Sequence, residues 1–138
     1  MTEAIITSKH VVDKLRIQHT ADLFGLRFPF NLEPAIYTFA SNISLDYNGA
    51  YWEFYTLSNG GFFMAPYSEK TFNVSCENGF KGKLSPNAFG ITVCLYAYSH
   101  LSFSDDQELG EICINHFHLL RKYMLDHAEA SLILNAID

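Results

Sequence analysis

Residues 46–66 read Asp-Tyr-Asn-Gly-Ala-Tyr-Trp-Glu-Phe-Tyr-Thr-Leu-Ser-Asn-Gly-Gly-Phe-Phe-Met-Ala-Pro. Two runs of strand-forming residues flank Asn59-Gly60, a pair suited to a two-residue type I′ turn because both central positions there need positive φ. The stretch predicts an aromatic β-hairpin, with strands near 50–57 and 61–65 and Pro66 closing the second. Trp52 and Phe54 fall on one face of the first strand, and Tyr51, Tyr55 and Leu57 on the other beside Glu53. On the second strand Phe62 and Met64 oppose Phe63 and Ala65. Apolar groups on both faces predict a hairpin covered on both sides. A partly exposed aromatic face would instead be a binding surface, with Tyr51 and Tyr55 as candidate contacts.

Downstream, 71–76 alternates, with Phe72, Val74 and Cys76 on one face and Thr71, Asn73 and Ser75 on the other, as a half-buried strand does. Asn78-Gly79 repeats the turn signal and folds 80–84 back as a further strand. The outline is a small antiparallel β-meander of three to four strands, about 50–84.

Helical signals surround it. A helix is expected within 11–24, stopped by Gly25. Asn31 can cap another running to about Tyr47, with Pro34 in its first turn and Asn48-Gly49 at its end. Ser85-Pro86 reads as an N-cap followed by proline at the first helical position. The segment from there to about Leu101 is apolar on every side, as a buried helix is, while its β-branched and aromatic content also fits a buried strand. Ser104-Asp105-Asp106-Gln107 reads as a capping box opening a helix with Leu109, Ile112, His116 and Tyr123 at helical spacing. Asp126-His127-Ala128-Glu129 repeats that device before a last helix through Ile137. A meander packed by several helices is an α+β fold, here one domain over 1–138.

Composition supports a packed domain: 138 residues, 49% hydrophobic and only 17% charged. The first ten residues have neither a basic leader nor a long apolar segment. The apolar-rich run 88–98 falls well short of the roughly 20 residues that span a bilayer. Cys76, Cys94 and Cys113 are odd in number and far apart, which suits free thiols. A cytoplasmic protein without membrane contact is expected. Net charge is −6 and uneven: residues 1–99 hold eight acids and seven bases, and 100–138 hold seven acids and two bases. Direct nucleic-acid binding needs clustered Lys and Arg, which Lys81, Lys83, Arg121 and Lys122 do not supply.

Chemical constellations are sparse. His116 and His118 sit two apart on a helix and point to nearly opposite sides, so they cannot chelate one metal together. Cys113 shares a face with His116, yet two ligands make no structural zinc site. Neither Gly-x-Ser-x-Gly nor Cys-x-x-Cys occurs, and Cys94 lies in surroundings apolar enough to suppress a thiolate. Gly60-Gly61 joins two strands rather than opening a helix, so it is no phosphate loop. The reading is a protein with no catalytic residues, metal or cofactor. Asp105, Asp106, Glu108 and Glu111 could present negative charge to a partner, together with Asp138. Acids in the first turns of a helix also favour its positive dipole end, and that local explanation suffices.

The 46–66 stretch resembles the signature of the antirestriction proteins of the ArdB/KlcA type. Trp-Glu-Phe-Tyr (52–55) and Ser-Asn-Gly-Gly-Phe-Phe-Met-Ala-Pro (58–66) carry the likeness at this spacing. It continues through Leu-Ser-Pro-Asn-Ala-Phe-Gly (84–90), Cys-Leu-Tyr-Ala-Tyr-Ser-His-Leu-Ser-Phe (94–103), Phe-His-Leu-Leu-Arg (117–121) and the end of the chain. The first thirty residues depart most. The resemblance implies a protein that relieves cleavage of incoming plasmid or phage DNA by type I restriction-modification enzymes. It supplies no catalytic residue to carry over. A broad mimic of DNA is disfavoured on charge: ten base pairs present about 20 negative charges, whereas this chain holds fifteen acids diluted by nine bases. The implied partner is the restriction enzyme or a host factor controlling it, reached through protein contacts. The alternative is a small-molecule or protein binding module with an aromatic pocket.

Overall fold

The computed structural model describes residues 5–138. The chain runs β1 (Ser8–Val11), α1 (Arg16–Phe24), α2 (Glu33–Ile43), β2 (Trp52–Leu57), β3 (Phe62–Pro66), β4 (Phe72–Ser75), β5 (Lys81–Leu84), α3 (Pro86–Leu101), α4 (Gln107–Met124) and α5 (Ala130–Ile137). A 3-10 turn at Asp13–Leu15 leads into α1, and a π-helical turn at Phe28–Leu32 runs into α2. The architecture is α+β and its strand pairings are antiparallel, as the sequence indicates. The strands divide between two sheets, β1-β2-β3 and β4-β5.

Both Asn-Gly pairs turn the chain, by a different device from the one expected. Among the described residues only glycines have positive φ, Gly60 at 93° and Gly79 at 94°, so neither asparagine occupies a type I′ position. Each loop has three residues instead of two. Gly60 donates to the Leu57 carbonyl and Leu57 to that of Gly61; Gly79 donates to Cys76 and Cys76 to Phe80. One extra residue, Ser58 or Glu77, lets glycine alone take the left-handed position. Each asparagine then accepts from the N–H two residues on, at 3.0 Å in both turns, and donates to a helix: Asn59 to Leu119, Asn78 to the end of α5.

A helix explains why the sheets separate. The Leu57–Gly61 pairing turns the backbone of Phe63 and Ala65 toward β2, and that of Phe62, Met64 and Pro66 outward. No strand adds there, because α3 lies along that edge. The Tyr98 hydroxyl donates to the Phe62 carbonyl at 2.8 Å, and Cys94 Sγ sits 3.5 Å from both N and O of Met64. Pro66 has no N–H to satisfy. Gly90, one turn before Cys94, permits the approach: a Cβ there would stand 2.4 Å from Ala65 Cβ.

The hairpin is covered on both faces. Trp52, Phe54 and Phe62 pack against Phe24, Phe28, Tyr37 and Tyr47, while Phe63 stacks between Tyr55 and Tyr123. α3 is buried almost all round and begins as expected, with Ser85 accepting from the Ala88 N–H and Pro86 at the first position.

Other boundaries move. β1 pairs with β2 although three of its four residues are exposed. α1 begins at Arg16 and stops at Gly25, while α2 begins without a side-chain cap and ends at Ile43, short of Tyr47. Asn31 lies inside the π turn and caps nothing. The cap of α4 is Asp106 and not Ser104, because Asp106 accepts from the Leu109 N–H, whereas Ser104 accepts from Asp106. α5 starts at Ala130 without a side-chain cap, and Asp126 precedes it in a turn. Among the described residues no helix is long and apolar enough to cross a membrane.

Candidate functional site

The acidic run 105–111 is largely engaged within the chain. Arg27 donates to both carboxylate oxygens of Asp106, at 2.9 and 3.3 Å, and reaches Glu108 at 3.4 Å. The Asp106 carboxyl lies below its ordinary range, held there first by Arg27 and then by the Leu109 N–H. Glu111 accepts from Gln107, one turn earlier on α4. Asp105 is exposed at the mouth of a shallow depression that Ser104 and Gly110 also line. The run therefore caps a helix, complements its dipole and ties the segment before α2 to α4.

The other candidate contacts lie in separate environments. Tyr51 donates to Asp13, and the Arg16 guanidinium lies 4.7 Å from its ring centre and 4.3 Å from that of Phe54. Arg16 also donates to the Trp52 carbonyl at 2.7 Å. β1 pairs only as far as Phe54, so this arginine takes the place of a strand beside Trp52. Tyr55 is half-buried, its ring stacked 4.8 Å from that of Phe63. A main-chain oxygen of Asp138 accepts from Asn78. The arginine-centred cluster went unrecognised in the sequence, because its partners follow from strand order and no local motif marks it.

Of the nucleophile and metal candidates, Cys94, Cys113 and His116 lie in the core. His116 is wedged against Phe24 and Tyr98, at 4.6 and 5.6 Å between ring centres, and burial pulls its pKa down to about 4. It is neutral at pH 7. His118 is exposed. Burial pushes the Cys94 thiol up to about 12 and that of Cys113 to about 11, so both stay protonated. Among the described residues no three His, Cys, Asp or Glu side chains gather as a metal site would need.

Comparison with known proteins gives this arrangement a context. A family model described as antirestriction protein matches residues 45–138, beginning just before the hairpin. The antirestriction protein KlcA of Escherichia coli is 34% identical over 135 residues, covering 96% of this chain and 95% of that protein. YafX of Escherichia coli strain K12, an uncharacterized protein, is 38% identical over 138 residues, covering 96% and 88%. A solved structure covers 100% of this chain and 99% of its own at 34% identity, with a TM-score of 0.90. That work describes KlcA and ArdB as showing a novel fold and antirestriction activity against type I DNA restriction systems in vivo but not in vitro. The family match takes in the hairpin, the helix that closes its edge and both tethering asparagines, so this chain belongs to the antirestriction protein family.

Proposed function

We propose that this protein relieves cleavage of incoming DNA by type I restriction-modification enzymes, acting in the cytoplasm through protein contacts and without catalysis. The observation that carries the reading is likeness over essentially the full chain, at a TM-score of 0.90, to proteins described as active against those systems. The contact mechanism is supported by what the surface offers. The acids most suited to imitating DNA are engaged by Arg27 and by the start of α4. The buried thiols and His116 are poised for packing. The description of KlcA and ArdB as active in vivo but not in vitro suits a target that includes a host component.

The test is plating of unmodified phage on a host that carries a type I system, with and without this protein. Plating rises if the reading holds, and unchanged restriction overturns it. Stoichiometric displacement of DNA from the purified enzyme by this protein would overturn the contact mechanism and favour mimicry.

A further inference from the structure

Two buried polar side-chain atoms lack a partner among the described residues, Arg16 Nε and His116 Nδ1, and α1 meets both. Arg16 is the first residue of α1, and its other guanidinium contacts, to the Trp52 carbonyl and to Asp13, are made through Nη2. His116 lies on α4, where the Phe24 ring from the last turn of α1 packs on it at 4.6 Å between centres. Folded proteins pair nearly all such buried groups, so two of them along one seam call for a physical cause. Seating α1 is what takes both away from water, at the expense of the hydrogen bonds they would make there.

Little apolar burial offsets that loss. α1 buries two of its nine side chains, Thr20 and Phe24, whereas α3 buries ten of its sixteen. Thr20 is polar, and its hydroxyl donates to the Arg16 carbonyl one turn back. Ile17 is 85% exposed. An element with few buried apolar groups opens at a lower free energy than the core around it. The attachments on either side are firmer. β1 pairs with β2 as far as Val11 and Phe54, and Arg27 donates to Asp106 and Glu108. Between them Gly25 ends α1 at a φ of 61°, exposed and with nothing within 4 Å of where a Cβ would stand. Such a glycine is a ready hinge.

We propose that residues 12–25 form a flap that opens as a unit on Gly25 while β1 and the Arg27 ion pair stay in place, and that protonation of His116 favours the open form. Opening lifts Phe24 off Phe28, Phe62, Tyr98 and His116 and returns Arg16 and His116 to water. The direction of the pH response follows from the surroundings of His116. Tyr98 faces it from α3, and Cys113 shares its face of α4; burial keeps both protonated. From α1 it meets the Phe24 ring, while Asp22 accepts from Gln18 on the exposed side and His19 is half-buried. No charged group contributes to its titration, and burial alone lowers it to about 4. The closed form is therefore fully favoured above the ordinary value of 6.5 and loses ground as pH falls from there toward 4. Between those two values opening becomes roughly twentyfold more populated at pH 5 than at pH 7.

Native-state hydrogen exchange on the full chain, followed residue by residue by NMR in low urea, tests both parts. At pH 7 the amides of Ala21, Phe24 and Gly25 should be protected about a hundredfold less than those of Leu95 and Ala97 in α3. Their protection should also depend less steeply on urea, as a partial opening does. Equal protection with equal urea slopes would place α1 in the global unfolding unit and overturn the proposal. From pH 7 to pH 5 the α1 protection factors should fall roughly twentyfold in wild type and in His19→Gln, and hold steady in His116→Phe. His116→Leu replaces the ring where Phe is not accommodated, and the urea slopes in wild type need no variant. A wild-type response that is absent, that survives the loss of His116, or that disappears with His19 overturns the proposal. Because the readout is exchange and not restriction, the outcome is separate from that of the plating test.

Discussion

In the 52–66 hairpin and the 72–84 hairpin the chain turns by the same means. A three-residue loop ends in a left-handed glycine, and an asparagine braces the loop and ties it to a helix. The hairpins also end alike, each with a free edge that side chains close in place of a further strand. Cys94 and Tyr98 meet the outer backbone of β3. Asp46 accepts from the Asn73 N–H at 2.8 Å, and the Ser44 hydroxyl donates to the Asn73 carbonyl at 2.6 Å. The faces are what differ. Every residue of β3 is buried, whereas β4 alternates buried and exposed. An identical turn therefore says where a chain reverses. How deep the hairpin lies follows from the residues it places on its two faces.

Core truncations should show this difference at its largest. Trp52 is buried against Tyr37 and Tyr47 and donates its indole N–H to the Tyr47 hydroxyl at 3.1 Å. Trp52→Ala is expected to cost about 3–5 kcal/mol. Val74 is the matching buried residue of the second hairpin, and Val74→Ala should cost about 2 kcal/mol. Urea unfolding measures both, and equal losses would break the contrast.

Glycines test the closed edge. A Cβ on Gly90 would meet Ala65 Cβ at 2.4 Å and the Met64 carbonyl oxygen at 2.5 Å, where backbone atoms cannot step aside. Gly90→Ala should cost about 3 kcal/mol, the upper part of the overpacking range. In the second hairpin a Cβ on Gly82 would meet only the far end of the Phe80 ring, at 2.9 Å. Gly82→Ala should change stability by less than about 0.5 kcal/mol, as a surface substitution does. Thermal melting separates the two.

These contrasts also mark what could be read from the residues alone. The positions of both turns, the alternation of β4 and the all-round apolar α3 are local patterns, and they survive folding. The turn type does not, because choosing between two and three loop residues depends on strand register, which pairs Leu57 with Gly61. β1 was invisible for a related reason. Ser8, Lys9 and His10 are exposed and form a strand only because β2 offers its edge. The acidic run admits a partner reading and a local one from sequence, and the structure adds to the local one an ion pair with Arg27, seventy-nine residues away from Asp106, that no motif marks. The flap left no motif, since exposed Ile17 and buried Thr20 contradict the periodicity that sequence reading relies on.

The tethering asparagines should give smaller, nearly equal effects. Asn59→Ala and Asn78→Ala each remove a loop brace and a bond to a helix, at about 1–2 kcal/mol apiece. Their local signatures should differ. Asn59 reaches the Leu119 carbonyl inside α4, whereas Asn78 holds the carbonyls at the end of α5. Hydrogen exchange near Ile137 should quicken in Asn78→Ala and stay unchanged in Asn59→Ala.

The smallest effect expected is also the one that distinguishes the edges chemically. Cys94 and Tyr98 hold the β3 edge with groups that stay protonated, because burial raises both. The β4 edge is held by a carboxylate. Asp46 sits below its ordinary 3.8 because the Asn73 N–H and then the Asn73 side chain bond to its charged form. A carboxyl whose folded pKa is lowered stabilises the fold fully above the unfolded value, and that contribution is lost as pH falls through the lowered one. Acidification below about 3.8 should therefore release the Asn73 amide while Met64 stays protected. Protection factors for the two amides, followed by hydrogen exchange from neutral to acid pH, make the measurement. Asp46→Asn should flatten the response at Asn73, because the amide oxygen accepts the same bond without titrating. If Asn73 and Met64 lose protection together, the edges are closed by one cooperative unit and the chemical difference between them has no local effect.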